Sequence, residues 1–316
     1  MTRELPDSCL RILSRQGGVV SCQQAQAAGV SAWEVANLLK QGRWQRLQYG
    51  VYAAFTGEPP RRALLWAAAL RAGPRTILSY QTAAEIDGLI DMRTKLIHVT
   101  VPYAQRRRPT AGIIVHRSSR SIGIKRRPGL PPMTMTEETV FDLAQEAVSF
   151  DDVISLLARA CQRRLTTPFL LGETLGRRTR MRWRAEIKLA LPDVADGVQS
   201  PLEFRYRRDV ERPHGLPRAK LQAPAVQHGS GIFRDVLYRE YRVTVELDGN
   251  ASHPDEQRWQ DKRRDNAAAA DGIVTLRYGW ADVTERPCET AREIATVLAR
   301  AGWRGTLRKC GPACRI

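Results

Sequence analysis

Asp235, Glu246 and Asp248 stand at spacings that a β-hairpin would turn into one acidic face. Over residues 243–248 the types alternate, with Val243, Val245 and Leu247 on one side and Thr244, Glu246 and Asp248 on the other. Glu246 and Asp248 are therefore expected to project together, roughly 7 Å apart along a strand. A two- or four-residue connection near Arg239 and Glu240 would set Leu237 opposite Arg242 and Asp235 opposite Thr244. Asp235 then becomes a diagonal neighbour of Glu246, at about 7 Å or less. Three carboxylates this close repel one another, and a hard divalent cation such as Mg2+ or Mn2+ suits their oxygens. Asp235, Glu246 and Asp248 are the expected ligands. A plainer reading of the same residues makes Asp248-Gly249 a turn pair and ends the strand in solvated acids.

The neighbouring elements follow from local signals. In Ser200-Pro-Leu-Glu203, Ser200 suits an N-cap, Pro201 the first helical position and Glu203 the third. Glu203 could also complete the acidic cluster from a helix beside the sheet, although the local signals alone favour the cap. After the hairpin, 252–271 reads as a highly charged helix carrying Asp261, Lys262 and Arg264. Ile273–Tyr278 reads as an apolar strand, parallel to its predecessor through that helical crossover. A last helix near 288–301 aligns Ile294, Val297, Leu298 and Ala301. The order helix, hairpin, helix, strand, helix describes an α/β sandwich with the acids at one edge. Cys310-Gly-Pro-Ala-Cys314 and Cys288 supply three of the four ligands a structural zinc normally takes, so reduced or loosely ordered thiols in a C-terminal tail are expected.

The first third is organised differently. Residues 8–16 and 22–28 read as short helices, and Ser31-Ala-Trp-Glu34 is a capping box opening a third helix that stops at Gly42. A small hairpin follows over 43–52. Three short helices and a hairpin make a winged helix-turn-helix. Its third helix would offer Trp33, Asn37 and Lys40 to the major groove, while Arg43 and Arg46 near the wing would meet phosphates. Charge supports duplex DNA as the partner: 50 Lys and Arg against 33 Asp and Glu leave +17 over 316 residues. No apolar run approaches a spanning helix, and the N-terminus leads into no apolar signal core, so a cytoplasmic protein is expected. Six cysteines in a chain of this length do not make a disulfide scaffold.

The middle carries helices at 61–72 and 76–88, then strands at 97–101 and 112–116 that include His98 and His116, both read as structural. No acid falls between Asp91 and Glu137, and this basic segment could follow a phosphate backbone. Pro128–Pro132 reads as a linker before a helical stretch. The expected division is a winged helix over 1–58, a small α/β region over 59–132, a helical linker region over 133–197, a nuclease-like domain over 198–304 and a Cys-containing tail over 305–316.

Two resemblances sharpen this reading. Gly17-Gly-Val-Val, Gln24-Ala through Ala28-Gly29, Gly42-Arg-Trp, Gly50-Val-Tyr and Ser79-Tyr-Gln-Thr-Ala-Ala84 with Gly88-Leu89 resemble the N-terminal domain of AbiEi-family antitoxins. That likeness covers about the first 120 residues. It implies a winged-helix repressor of its own promoter and a toxin protein as possible partner. Ser200-x-x-Glu203, Arg234-Asp235, Val245-Glu-Leu-Asp-Gly249, His253, Asp261-x-x-Arg264, Gly272 and Leu276-Arg277 resemble the restriction-endonuclease-like PD-(D/E)xK superfamily, in the branch related to very-short-patch-repair endonucleases. This second likeness implies that Asp235 and Glu246 hold Mg2+, that Glu203 is the helix-borne acid and that His253 bears on the scissile phosphate. The superfamily has a lysine two places after the second acid, where this chain has Asp248. Either Asp248 adds a metal ligand while Lys262 or Arg264 stabilises charge, or cleavage is impaired. The expected function is a DNA-binding, metal-dependent endonuclease; the alternative is an AbiEi-type regulator on a catalytically impaired nuclease fold.

Overall fold

The computed structural model describes residues 4–105, 110–120, 122–227, 230–249, 272–314 and 316. The chain divides into two units, Met1–Glu146 and Ala147–Ile316.

The first unit opens with α1 (Asp7–Arg15), β1 (Val19–Ser21), α2 (Cys22–Ala27), α3 (Ala32–Lys40), β2 (Gln45–Gln48) and β3 (Val51–Ala53). Both α2 and α3 start at reciprocal caps. Ser21 Oγ accepts from the Gln24 N–H while Gln24 Oε1 accepts from the Ser21 N–H, and Ser31 and Glu34 repeat the exchange. Cys9, Leu13, Val20, Ala25, Val35, Leu38 and Trp44 are buried together beneath the helices. The antiparallel strands run β1-β3-β2, completing a winged helix-turn-helix. β1 is an addition to the expected hairpin: Val19–Ser21 pairs with Val51–Ala53 after Gly17 and Gly18 turn the chain at positive φ.

The rest of this unit comprises α4 (Arg61–Ala72), β4 (Ile77–Leu78), α5 (Tyr80–Asp87), β5 (Ile97–Pro102), β6 (Ile113–Ser118), β7 (Ile124–Lys125), β8 (Met133–Thr134) and α6 (Thr136–Glu146). Its sheet has the order β6-β5-β4-β8-β7. Pro128–Pro132 is not a linker. The Gly129 carbonyl accepts from Arg62 and Trp66, and the Pro132 carbonyl accepts from the Leu78 N–H, which brings β8 into the sheet. Helix α6 packs against α5 and so lies within the first unit.

The second unit begins with α7 (Phe150–Gln162), α8 (Pro168–Arg177) and α9 (Arg184–Ala195). Helix α10 (Pro201–Arg205) continues as a π-helical turn over Tyr206–Glu211. A four-stranded sheet follows, ordered β12-β11-β10-β9, from β9 (Lys220–Gln227), β10 (Ser230–Tyr238), β11 (Val243–Asp248) and β12 (Val274–Gly279). The first three strands form an antiparallel meander, and β12 lies parallel to β11 as expected. The crossover expected over 252–271 lies outside the described residues. Helices α11 (Trp280–Thr284) and α12 (Pro287–Arg300) close the unit. Val236, Tyr238, Val243 and Val245 form the buried sheet face, and the Tyr238 and Tyr206 hydroxyls meet at 2.7 Å, tying it to the π turn.

Candidate functional site

The register of the β10–β11 hairpin differs from expectation by two residues. Leu237 pairs with Thr244 and Val236 with Val245, because the four-residue connection starts one residue later, at Arg239, and not at Tyr238: a 3-10 turn over Arg239–Tyr241, then Arg242 in the left-handed region at φ 54°. A shift of two preserves the faces and moves the acids closer in register, since the next pair after Val236–Val245 is Asp235 and Glu246. Asp235, Leu237, Thr244, Glu246 and Asp248 share the face opposite the buried Val and Tyr side chains. The Leu247 N–H donates to Asp235 Oδ2 at 2.9 Å, so the carboxylate continues the ladder where main-chain pairing stops.

Glu203 reaches this face from α10, where it closes the helix start and shares the Gln222 amide with Asp235. Its own N–H donates to Ser200 Oγ at 3.1 Å, and its Oε2 accepts from the Gln199 N–H at 2.9 Å. Its Oε1 accepts from the Gln222 side-chain amide at 3.1 Å, and the same amide donates to Asp235 Oδ1 at 3.3 Å. Gln222 thus joins the helix-borne acid to the strand-borne one. It does so at φ 46°, a left-handed backbone inside β9 that costs a non-glycine residue on the order of 1 kcal/mol. Nothing in the spacing of Lys220–Gln227 singles out this glutamine.

Electrostatics mark the same group. Burial, then the charge of Asp235, pushes the Glu246 carboxyl up to about 7. Glu203, 4% exposed, is raised to about 7, chiefly by burial, with a contribution from Asp235. Burial also raises Asp235, opposed by its bond from the Leu247 N–H. Asp248 lies at the outer end of the strand, where Arg277 Nη1 approaches its Oδ2 at 3.5 Å. Arg277 pairs in register with Glu246 on the neighbouring parallel strand, so the cation beside the acids comes from β12. The bases expected in that role, Lys262 and Arg264, lie outside the described residues, as does His253.

The three expected ligands share one face of the sheet. Among the described residues, the set of three or more His, Cys and carboxylate ligand atoms lying within 4.8 Å of one another is that of His214, Cys288, Cys310 and Cys314. The structure also corrects the loosely ordered tail expected for Cys310 and Cys314. Its Arg308 N–H donates to the His214 carbonyl at 2.9 Å, and both sulfurs lie 3.6 Å from Cys288 Sγ.

In the first unit, Trp33 is 74% exposed, and Lys40, Arg43 and Arg46 are exposed on α3 and the wing, while Asn37 is half-buried. The basic segment after Asp91 is partly neutralised inside the unit: Arg120 pairs with Glu138 and Asp142, and Lys125 and Arg127 both pair with Asp87. Arg106, Arg107 and Arg108 lie outside the described residues. His98 Nδ1 and His116 Nε2 are 3.1 Å apart, and His116 stacks on Tyr80 with ring centroids 3.6 Å apart. Burial and then the His98 charge lower His116 to about 4, as suits a neutral packed ring.

Residues 9–54 match a family model described as "Transcriptional regulator, AbiEi antitoxin". None of the curated proteins matches the chain. Among solved structures, the crystal structure of RV2827C protein from Mycobacterium tuberculosis is similar at 19% identity and a TM-score of 0.40, over 62% of this chain and 80% of that one. No helix among the described residues is long and apolar enough to cross a membrane. The capped helices and the wing sheet fit the family match, so residues 9–54 are similar to an AbiEi antitoxin-type transcriptional-regulator domain.

Proposed function

We propose that this protein binds duplex DNA through its N-terminal winged helix and hydrolyses phosphodiester bonds at the acidic face of its second unit, with Mg2+ or Mn2+. The observation that carries the proposal is the linked set Glu203–Gln222–Asp235–Leu247, with Glu246 beside it. Half-buried carboxylates raised by desolvation and mutual repulsion suit a cation, and their oxygens are the hard donors that Mg2+ and Mn2+ prefer. Asp235, Glu246 and the Leu247 carbonyl would hold the ion, with Asp248 at its outer side. A divalent cation there would supply Lewis-acid stabilisation of the phosphate and activation of the attacking water. Gln222 keeps Asp235 and Glu203 aimed into the site, and Arg277 offsets negative charge where the superfamily has lysine. The order helix, antiparallel meander, parallel strand, helix is consistent with a PD-(D/E)xK core.

The test is supercoiled plasmid incubated with the purified protein and Mg2+ or Mn2+, beside Glu246→Ala. Nicking by the parent that falls at least a hundredfold in the variant, with duplex affinity unchanged, is expected. Equal nicking by both would remove Glu246 from the chemistry.

The ion pair between Asp248 and Arg277, together with the regulator match over residues 9–54, favours a second reading. In it the second unit is a scaffold and the protein is an AbiEi-type repressor, with a toxin protein as possible partner. A protected footprint on its own promoter, with no cleavage and no thermal stabilisation by millimolar Mn2+, would select that reading.

A further inference from the structure

The tail that sequence reasoning leaves loose is docked through a cluster of four potential ligands. Cys288 opens α12, Cys310 and Cys314 flank a short turn closed by the Cys314 N–H on the Gly311 carbonyl, and His214 lies just beyond the π turn of α10. One ligand atom from each residue lies within 4.8 Å of the others. Cys288 Sγ stands 3.6 Å from both Cys310 Sγ and Cys314 Sγ, and all three cysteines are free. That separation is far beyond a disulfide bond of about 2.05 Å. It is close to the value of about 3.8 Å that tetrahedral geometry imposes on two thiolates each about 2.3 Å from zinc.

His214 supplies the independent observation. Its ring is fully buried, and Nδ1 lies 2.8 Å from the Val210 carbonyl oxygen. A carbonyl only accepts, so Nδ1 carries the proton and Nε2 of the neutral ring is left with a lone pair. Nε2 is buried with no hydrogen-bond partner. An orphaned acceptor beside three sulfurs is the arrangement of a metal-ligating histidine whose second nitrogen is fixed by a main-chain carbonyl.

We infer that His214, Cys288, Cys310 and Cys314 form a Cys3His structural zinc site that clamps the C-terminal tail onto α12 and the π turn. Three thiolates and one imidazole suit Zn2+ over the hard cations proposed for the acidic face. With four protein ligands the site is closed, so its role is structural. The thiols bind as thiolates, and their protons pass to solvent on metal uptake.

Metal analysis of full-length protein purified without chelator should find about one zinc per chain. Replacement by Co2+ should give the intense visible bands of a tetrahedral thiolate site. A Cys310→Ser/Cys314→Ser double variant should fall below a tenth of the parent's zinc. His214→Cys should keep the metal and shift the Co2+ spectrum towards four thiolates, which covers the case in which removing ligands unfolds the protein. Zinc absent from the parent, zinc retained by the double variant, an unshifted Co2+ spectrum in His214→Cys, or a disulfide among these cysteines by mass spectrometry would each overturn the site. Glu246→Ala should leave zinc content unchanged, so this result stands apart from the hydrolytic reading.

Discussion

Glu203 shows how one side chain carries both a local and a long-range duty. Its carboxylate closes the start of α10 and also takes the Gln222 amide that reaches Asp235. Burial first, and then the Asp235 charge, raises its pKa from 4.5 to about 7. Across that window the native chain keeps a proton that the unfolded chain has lost, so this group's contribution to stability falls as pH rises and levels off above about 7. The full swing is on the order of 3 kcal/mol. Glu203→Gln removes the ionisation while keeping an acceptor and much the same shape. Its NH2 must face one of the donors the carboxylate accepts from, a cost present at every pH, so its stability relative to the parent should rise by roughly 1–3 kcal/mol from pH 4.5 to pH 8. Urea denaturation at the two pH values measures the difference, and an equal offset at both would show that ionisation of Glu203 does not govern it. Asp235, Glu246 and Glu203 were legible in the sequence because alternation and capping are local rules. Gln222 was not, since its importance depends on a positive φ that β9 acquires only in the assembled sheet. His214 was hidden for a similar reason: its three partners lie more than seventy residues away in sequence, and no spacing rule joins them.

At the level of elements, the sequence was informative wherever a cap or a period of two was present. Ser21 and Ser31 fix the starts of α2 and α3, and the alternation over 243–248 fixes the faces of β11. The hairpin register escaped because four residues, ending with Arg242 at positive φ, make a connection that no Gly or Asn announces. β9 escaped because Pro224 and the polar residues of Lys220–Gln227 give no clean alternation, and it belongs to the sheet through its pairing with β10. The α3–wing surface carries its own prediction. Lys40 at the end of α3 and Arg43 just beyond it are exposed, and the carboxylate on α3, Glu34, is engaged at its capped start. If both cations meet phosphates, Lys40→Ala and Arg43→Ala should each weaken duplex binding about equally across sequences and lower the slope of log affinity against log salt by about 1. Fluorescence anisotropy with a short duplex at several salt concentrations gives that slope. An unchanged slope in both variants would move the DNA contact off this surface.

On the scale of the whole chain, a net charge of +17 guarantees attraction to any polyanion at low salt, so binding there says little about which surface is used. The useful variable is ionic strength. At about 0.15 M the screening length falls to about 8 Å and diffuse attraction fades, while the direct phosphate contacts proposed at α3 and the wing would keep part of their effect. The acidic face of the second unit would then depend on the first unit to hold DNA near it, because covalent linkage converts the second encounter into an intramolecular one at an effective concentration of order millimolar. The double variant Lys40→Ala/Arg43→Ala should therefore nick plasmid within about twofold of the parent near 0.02 M salt and about tenfold or more slowly near 0.15 M. Glu246→Ala should lose nicking at both salt concentrations, which separates recruitment from chemistry. If the double variant loses activity equally at low and high salt, the substitutions act on folding or on the hydrolytic face itself. If it loses none at 0.15 M, the winged helix serves promoter binding alone and the second unit finds its phosphates unaided.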